Sequence, residues 1–146
     1  DLLELSQAVR NSFEQELNKK NLTYKVSGES AVVSGDQKRL HQVIFNLVSN
    51  AIKYSTEGGC INIDVRSDTD VTTVTIEDRG IGISEKDLPL IFERFYRADR
   101  SRNRKTGGAG IGLTIAKAIV SAHNGNITVE SKEGYGSRFV ITIPKR

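Results

Sequence analysis

Asn46, Asn50 and Lys53 recur at helical spacing, with Gln42 one turn earlier. At about 100° per residue the three positions fall within roughly 60° of one another on a helix. They stand on the shoulder of an apolar stripe of Leu40, Val43, Ile44, Leu47, Val48 and Ala51, whose three- and four-residue recurrence marks a buried face. Polar side chains beside a core must find partners, because an unpaired buried amide costs roughly 1–3 kcal/mol. A carboxamide oxygen is a suitable hard ligand for a magnesium ion and an ammonium group offsets phosphate charge, so a metal-bound triphosphate would satisfy all three residues.

Glycine-rich stretches follow that helix at Asp78-Arg79-Gly80-Ile81-Gly82, Gly107 to Gly112 and Gly134-Tyr135-Gly136. Asp78 ends a strand, and its ionised carboxylate only accepts hydrogen bonds. That suits the exocyclic amine of adenine and repels the carbonyl that guanine carries there. Glycine beside it lets a flat base lie close against backbone. The Gly107 to Gly112 cluster is no Walker A loop, because Leu113-Thr114 stand where a Lys-Ser/Thr pair is required. Nor does it follow an early strand, as a dinucleotide fingerprint does. It opens a helix, so free backbone N–H groups and the positive end of the dipole can meet phosphate oxygens. Just before it, Arg97, Arg100, Arg102, Arg104 and Lys105 face a single acid, Asp99. Such a run reads as a solvated loop, a nucleic-acid contact or a flexible cover over phosphates, and its place before the glycines favours the cover.

The elements that must position these residues follow from periodicity. Leu2, Leu5, Val9, Phe13 and Leu17 predict an amphipathic helix over the first twenty residues, without a clear cap, as in a chain cut from something longer. Leu22 to Ser27 and Ala31 to Val33 are short strand candidates. Asp36 is a plausible N-cap for the central helix, which runs to about Ser55 before Glu57-Gly58-Gly59 stops it. Ile61/Ile63/Val65 and Val74/Ile76 alternate as a hairpin turned at Ser67 to Asp70, with one buried face. Ser84 caps a short helix through Ile91, and Phe92 to Gly110 reads as a mobile segment. A helix from Ile111, carrying Ile115, Ala116, Ile119 and Val120, ends at Asn124-Gly125. Ile127/Val129 and Phe139/Ile141/Ile143 close the chain as a second hairpin. The sum is an α+β two-layer sandwich: a mixed, mostly antiparallel sheet with helices on one face.

Length and composition narrow the function classes. The 146 residues fit one domain, able to bury roughly 70% of its unfolded surface. With 37% hydrophobic and 27% charged residues the chain is of ordinary globular composition, and no apolar run approaches the roughly 20 residues of a membrane span. The acidic, amphipathic start is not a signal peptide. Cys60 alone allows no internal disulfide, and with two scattered histidines it makes no zinc site. The net charge of +3 is mild.

Taken in order, these residues resemble the catalytic and ATP-binding domain of bacterial two-component sensor histidine kinases, in the Bergerat superfamily that also holds DNA gyrase, mismatch-repair ATPases and a heat-shock chaperone. The run from His41 to Tyr54 resembles the N box and Asp78 to Gly82 the first G box. Phe92 to Tyr96 resembles the F box, Gly108 to Leu113 the second G box, and Gly134 to Gly136 a third. The resemblance implies that Asn46 and Asn50 hold magnesium and phosphate, that Lys53 and Arg97 contact phosphates, that Tyr54 packs on the base and that Asp78 selects adenine. It further implies that Gly80, Gly82, Ile83 and Tyr96 contact the nucleotide, and that Gly108, Gly110, Ile111, Gly112 and Leu113 shape the phosphate and ribose wall. Ala98 to Gly107 would form a lid braced by Phe92 and Phe95. Ile111 replaces the usual leucine, Arg79 a common asparagine, and His123-Asn124-Gly125 the usual His-Gly-Gly.

In this family the phosphate acceptor is a histidine on a separate helical hairpin. Neither His41, inside the N-box helix, nor His123, at a helix C-terminus, has that context. The resemblance therefore implies a domain that holds ATP and magnesium while a hairpin presents the nucleophile, and that serves a response regulator indirectly. It implies a cytoplasmic domain of a membrane-anchored parent, monomeric in isolation because dimerisation runs through the hairpin. An anti-sigma-factor serine kinase of the same superfamily is the nearest rival, against which the F box and long basic lid stand. A non-enzymatic nucleic-acid module would leave Asn46, Asn50 and Asp78 unexplained.

Overall fold

Asp1 opens the first helix by accepting a hydrogen bond from the Leu3 backbone N–H at 2.9 Å. The computed structural model describes residues 1–92 and 112–145. Helix α1 (Leu2–Ser12) gives way at Phe13, whose φ of −119° interrupts the turn, to the short α2 (Glu14–Lys19). The expected single helix is thus capped and broken once, yet Leu2, Val9, Phe13 and Leu17 remain buried along one stripe. Strand β1 (Thr23–Gly28) follows. Ala31 to Val33 forms no strand; Ala31 instead bonds back to the start of α1, its carbonyl accepting from Leu2 N–H at 2.8 Å.

Helix α3 (Gln37–Tyr54) is capped by Asp36, whose carboxylate accepts from Lys38 and Arg39 N–H at 3.0 and 3.2 Å. Its buried face contains all six expected apolar residues and also Ile52. Strands β2 (Cys60–Ser67) and β3 (Val71–Asp78) form the first hairpin. Between Ser84 and Ile91 only Leu88–Leu90 is helical, as one 3₁₀ turn. Ser84 Oγ accepts from Asp87 N–H at 3.3 Å and donates to the Asp87 carboxylate at 2.9 Å, so the cap forms, but Pro89 lacks the N–H that a longer helix would use. Helix α4 (Gly112–Ala122) leads to β4 (Asn126–Lys132) and β5 (Gly136–Pro144).

The five strands lie in the order β1-β2-β3-β5-β4. Only β1 and β2 are parallel, because α3 carries the chain between them; the other neighbours are antiparallel. Alternation buries Ile61, Ile63, Val65, Val74, Ile76, Phe139, Ile141 and Ile143 on one sheet face, against Val9 of α1, Leu47 and Val48 of α3, and Ala116 and Val120 of α4. This is the α+β two-layer arrangement read from the sequence, and it leaves the ends of α3, β3 and α4 to build a site.

Candidate nucleotide-binding site

Asp78 is the last residue of β3 and occupies an inward position of the alternation, so it is 5% exposed. Its ladder partners are Ile61 and Ser137. Burial pushes its carboxyl above the usual 3.8, outweighing the stabilising backbone N–H bonds from Gly80 and Ser137, while the Glu77 charge adds to the rise. The Gly80 bond measures 2.9 Å. A side chain on Gly80 would meet the Tyr54 carbonyl at 2.0 Å, and one on Gly136 the Asp78 carbonyl at 2.2 Å. At Gly80 the absent side chain admits the end of α3, a close approach that the sequence did not show. Ile81 N–H donates to the Tyr54 carbonyl at 3.1 Å, so the loop after β3 is bonded to the C-terminus of α3. Gly82 takes φ +73° and packs on the Lys132 carbonyl, joining the same loop to β4.

Two turns earlier on α3, Asn46 Nδ2 donates to the Gly112 carbonyl at 3.0 Å. Gln42 Nε2 donates in turn to Asn46 Oδ1 at 2.6 Å, so the polar stripe is bonded along the helix. Gly112 is the first residue of α4, and Asn46 thus touches the helix opening at which the glycine cluster ends. Asn50 is half-buried and has no side-chain hydrogen bond among the described residues. Lys53 and Tyr54 are half-buried, with the Lys53 ammonium 5.9 Å from the Tyr54 ring centroid. From Asn46 to Tyr54 the helix advances about 12 Å, separating an amide-lined end from an Asp78 end. Ile83 and Leu113 are partly buried against the core. Phe92 sets its ring edge-on to Phe139 at 6.3 Å, and its carbonyl accepts from Thr114 Oγ1 at 2.9 Å, which ties it to α4. Tyr96, Arg97, Gly108, Gly110 and Ile111, with Phe95 and the segment 98–107, lie outside the described residues.

Two serines at the Asp78 end were not singled out by sequence. Ser131 Oγ accepts from Ile83 N–H at 2.7 Å, donates to the Gly136 carbonyl at 2.8 Å and lies 2.8 Å from Ser137 Oγ. Ser131 and Ser137 interrupt the inward apolar alternation of β4 and β5, and that interruption was the available signal. Asp78, Ser131 and Ser137 line a groove of about 620 Å³ together with Tyr135, Gly136 and the charged Glu77, Glu130 and Arg138.

The sheet order, the amide stripe on α3 and the buried acid closing β3 define an ATP-binding α+β domain of one class. The chain belongs to the histidine kinase-, DNA gyrase B- and HSP90-like ATPase family, whose profile matches residues 35–146. Among curated relatives, the sensor histidine kinase WalK of Bacillus subtilis is 47% identical over 111 residues, which covers 75% of this chain and 18% of WalK. The chain thus spans under a fifth of that relative. Among solved structures, the catalytic domain of histidine kinase ThkA superposes with a TM-score of 0.83 at 30% identity, covering 97% of this chain and 91% of that one. ThkA in complex with the response regulator protein TrrA is matched with a TM-score of 0.79 at 29% identity, over 98% of this chain and 40% of that one.

Proposed function

We propose that the chain is a single catalytic domain that binds magnesium ATP between α3 and α4. It would donate the γ-phosphoryl group to a histidine on a separate dimerisation and phosphoacceptor hairpin, in two-component signal transduction. The observation that carries this reading is Asp78, a buried carboxylate bonded through Gly80 to the loop that Tyr54 holds at the end of α3. A buried carboxylate at the end of a sheet strand, able only to accept hydrogen bonds when ionised, suits an adenine amine.

The amide end fits a metal-bound triphosphate. Gln42 occupies one of the two lone pairs of Asn46 Oδ1, which leaves the other for a hard cation, and Asn50 offers a second amide oxygen one turn on. Magnesium held there would supply charge neutralisation at the phosphates. Lys53 and Arg97 would contact phosphates, Tyr54 and Tyr96 would pack near the base, and Gly80, Gly82 and Ile83 would wall its edge. Gly108, Gly110, Ile111, Gly112 and Leu113 would wall the phosphates and ribose. Phosphoryl transfer rests mainly on positioning and electrostatics, which is what a domain without its own acceptor can contribute. His123 is poorly suited as acceptor: Nδ1 donates to the Ile119 carbonyl at 2.8 Å and Nε2 accepts from Asp36 N–H at 3.1 Å. His41 lies beside Phe45 on α3, its ring centroid 6.3 Å away. The regulator-bound form of ThkA supports a response regulator as the downstream partner. The parent is read as membrane-anchored with this domain in the cytoplasm; among the described residues no helix is long and apolar enough to cross a membrane.

Titration calorimetry with magnesium and ATP tests the reading directly. Binding is expected, and its absence at millimolar nucleotide would end the proposal. Asp78→Ala removes a charged hydrogen bond worth roughly 1.5–3 kcal/mol, so affinity should fall about 10- to 150-fold. Incubation with labelled ATP and an isolated phosphoacceptor hairpin should yield acid-labile phosphohistidine; acid-stable label would assign a serine kinase instead.

A further inference from the structure

We propose that Lys20 is a positioning residue for the adenine end of the site, an inference that rests on the nucleotide-binding reading above. Lys20 caps α2, and its backbone is pinned on both sides: its N–H donates to the Glu16 carbonyl at 3.3 Å, and its carbonyl accepts from Gly58 N–H at 2.8 Å. From there the side chain crosses to the C-terminus of α3. Its ammonium donates to the carbonyls of Ile52, Lys53 and Ser55 at 2.8, 3.0 and 3.2 Å. An ammonium carries three N–H donors, so all of them are used. The last carbonyls of a helix have no partner within it and carry the negative end of the dipole; a cation placed among them fixes that turn twice over.

That turn holds the base end together. Tyr54, between two of the capped carbonyls, receives Ile81 N–H and abuts Gly80 so closely that no Cβ fits; Gly80 N–H then donates to Asp78 Oδ1. A shift of the α3 terminus therefore passes through two backbone contacts and the Gly80 N–H bond to the Asp78 carboxylate. Asn46 lies two turns earlier and is insulated from it, being fixed by Gln42 and the Gly112 carbonyl.

The two ends make the inference testable with calorimetric binding of ATP and GTP. Lys20→Met keeps the stem and removes the donors. It should weaken ATP binding about tenfold, the factor that about 1.4 kcal/mol commands, while GTP binding stays as in the wild type. Preference for adenine then shrinks by the same factor. Lys20→Arg, which keeps charge and donors, should restore most of it. Equal losses for ATP and GTP, an unchanged preference, or no rescue by arginine would overturn the assignment. Should Lys20→Met fail to fold, Lys20→Gln, which keeps two donors without the charge, is measured in its place: a loss for ATP alone, smaller than tenfold, is expected, and equal losses for ATP and GTP or no loss at all would overturn the assignment. Failure of the wild-type chain to bind ATP would strike the nucleotide reading itself, so the two failures are told apart.

Discussion

A carboxylate only 5% exposed is costly to keep ionised, and Asp78 carries that cost at neutral pH. Because its folded-state pKa lies above the unfolded value, the native state binds the proton more tightly. The contribution to stability is then fullest below 3.8 and is lost as pH rises from there through the raised value. Asp78→Asn keeps an oxygen for Gly80 N–H and removes the charge. It should melt at a higher temperature than the wild type at neutral pH, with the advantage vanishing as pH falls towards 3.8. Thermal melts across that range check the claim, and a gap independent of pH would contradict it. The same variant should bind ATP poorly, since the carboxamide presents a donor as well as an acceptor. Gly80→Ala tests the adjoining contact. With a Cβ 2.0 Å from the Tyr54 carbonyl, backbone must move, and a loss of roughly 1–3 kcal/mol in chemical unfolding is expected together with weaker nucleotide binding.

At the scale of the element, α3 organises both ends of the site, and each of its termini is held by a different device. Asp36 supplies the N-cap, with His123 of the segment after α4 accepting its backbone N–H. Lys20 supplies the C-terminal cation. Between them Val43, Leu47 and Val48 are wholly buried, so the helix cannot rotate its amide stripe without exposing core. Asp36→Ala should cost about 1 kcal/mol of stability in urea unfolding, the usual worth of a cap. Because Asp36 lies at the far end of α3 from Tyr54, adenine-over-guanine preference should stay put in that variant, in contrast to Lys20→Met.

For the whole molecule, the family profile begins at residue 35, yet α1, α2 and β1 precede it and carry core. Leu2, Val9, Phe13 and Leu17 are all buried, and burying such side chains stabilises by roughly 1.5–3 kcal/mol each. Their sum rivals the total stability of an ordinary domain, roughly 5–15 kcal/mol. A fragment starting at residue 35 would also leave β2 as a bare edge, since β1 is its parallel neighbour. It should therefore lack a cooperative thermal transition, whereas the full chain should show one by near-ultraviolet circular dichroism. A fragment that melts like the full chain would demote the N-terminal helices to decoration.

The strongly periodic parts of this protein were legible residue by residue. The buried face of α3, its Asp36 cap, both hairpins and the two-layer class follow from spacings of three, four and two, because burial repeats with the geometry of the backbone. Ala31 to Val33 misled because a three-residue apolar run has too little period to tell a strand from a segment pinned by one backbone bond to α1. Ser84 to Ile91 misled because Ser84 does cap a turn, accepting from Asp87 N–H, but Pro89 has no N–H to carry it on as a longer helix. Amide and acid types are what the proposed chemistry of the site rests on, since only certain groups can hold a metal or an adenine amine. The sequence alone could say that Asn46 and Asp78 were suited to one ligand. Only folding could decide that Gly80 makes room for Tyr54, that Ser131 and Ser137 complete the row beside Asp78, and that Lys20 closes α3 from a distance of more than thirty residues. Contacts between segments far apart in the chain leave no period behind, so they exist as information only once the core has brought those segments together.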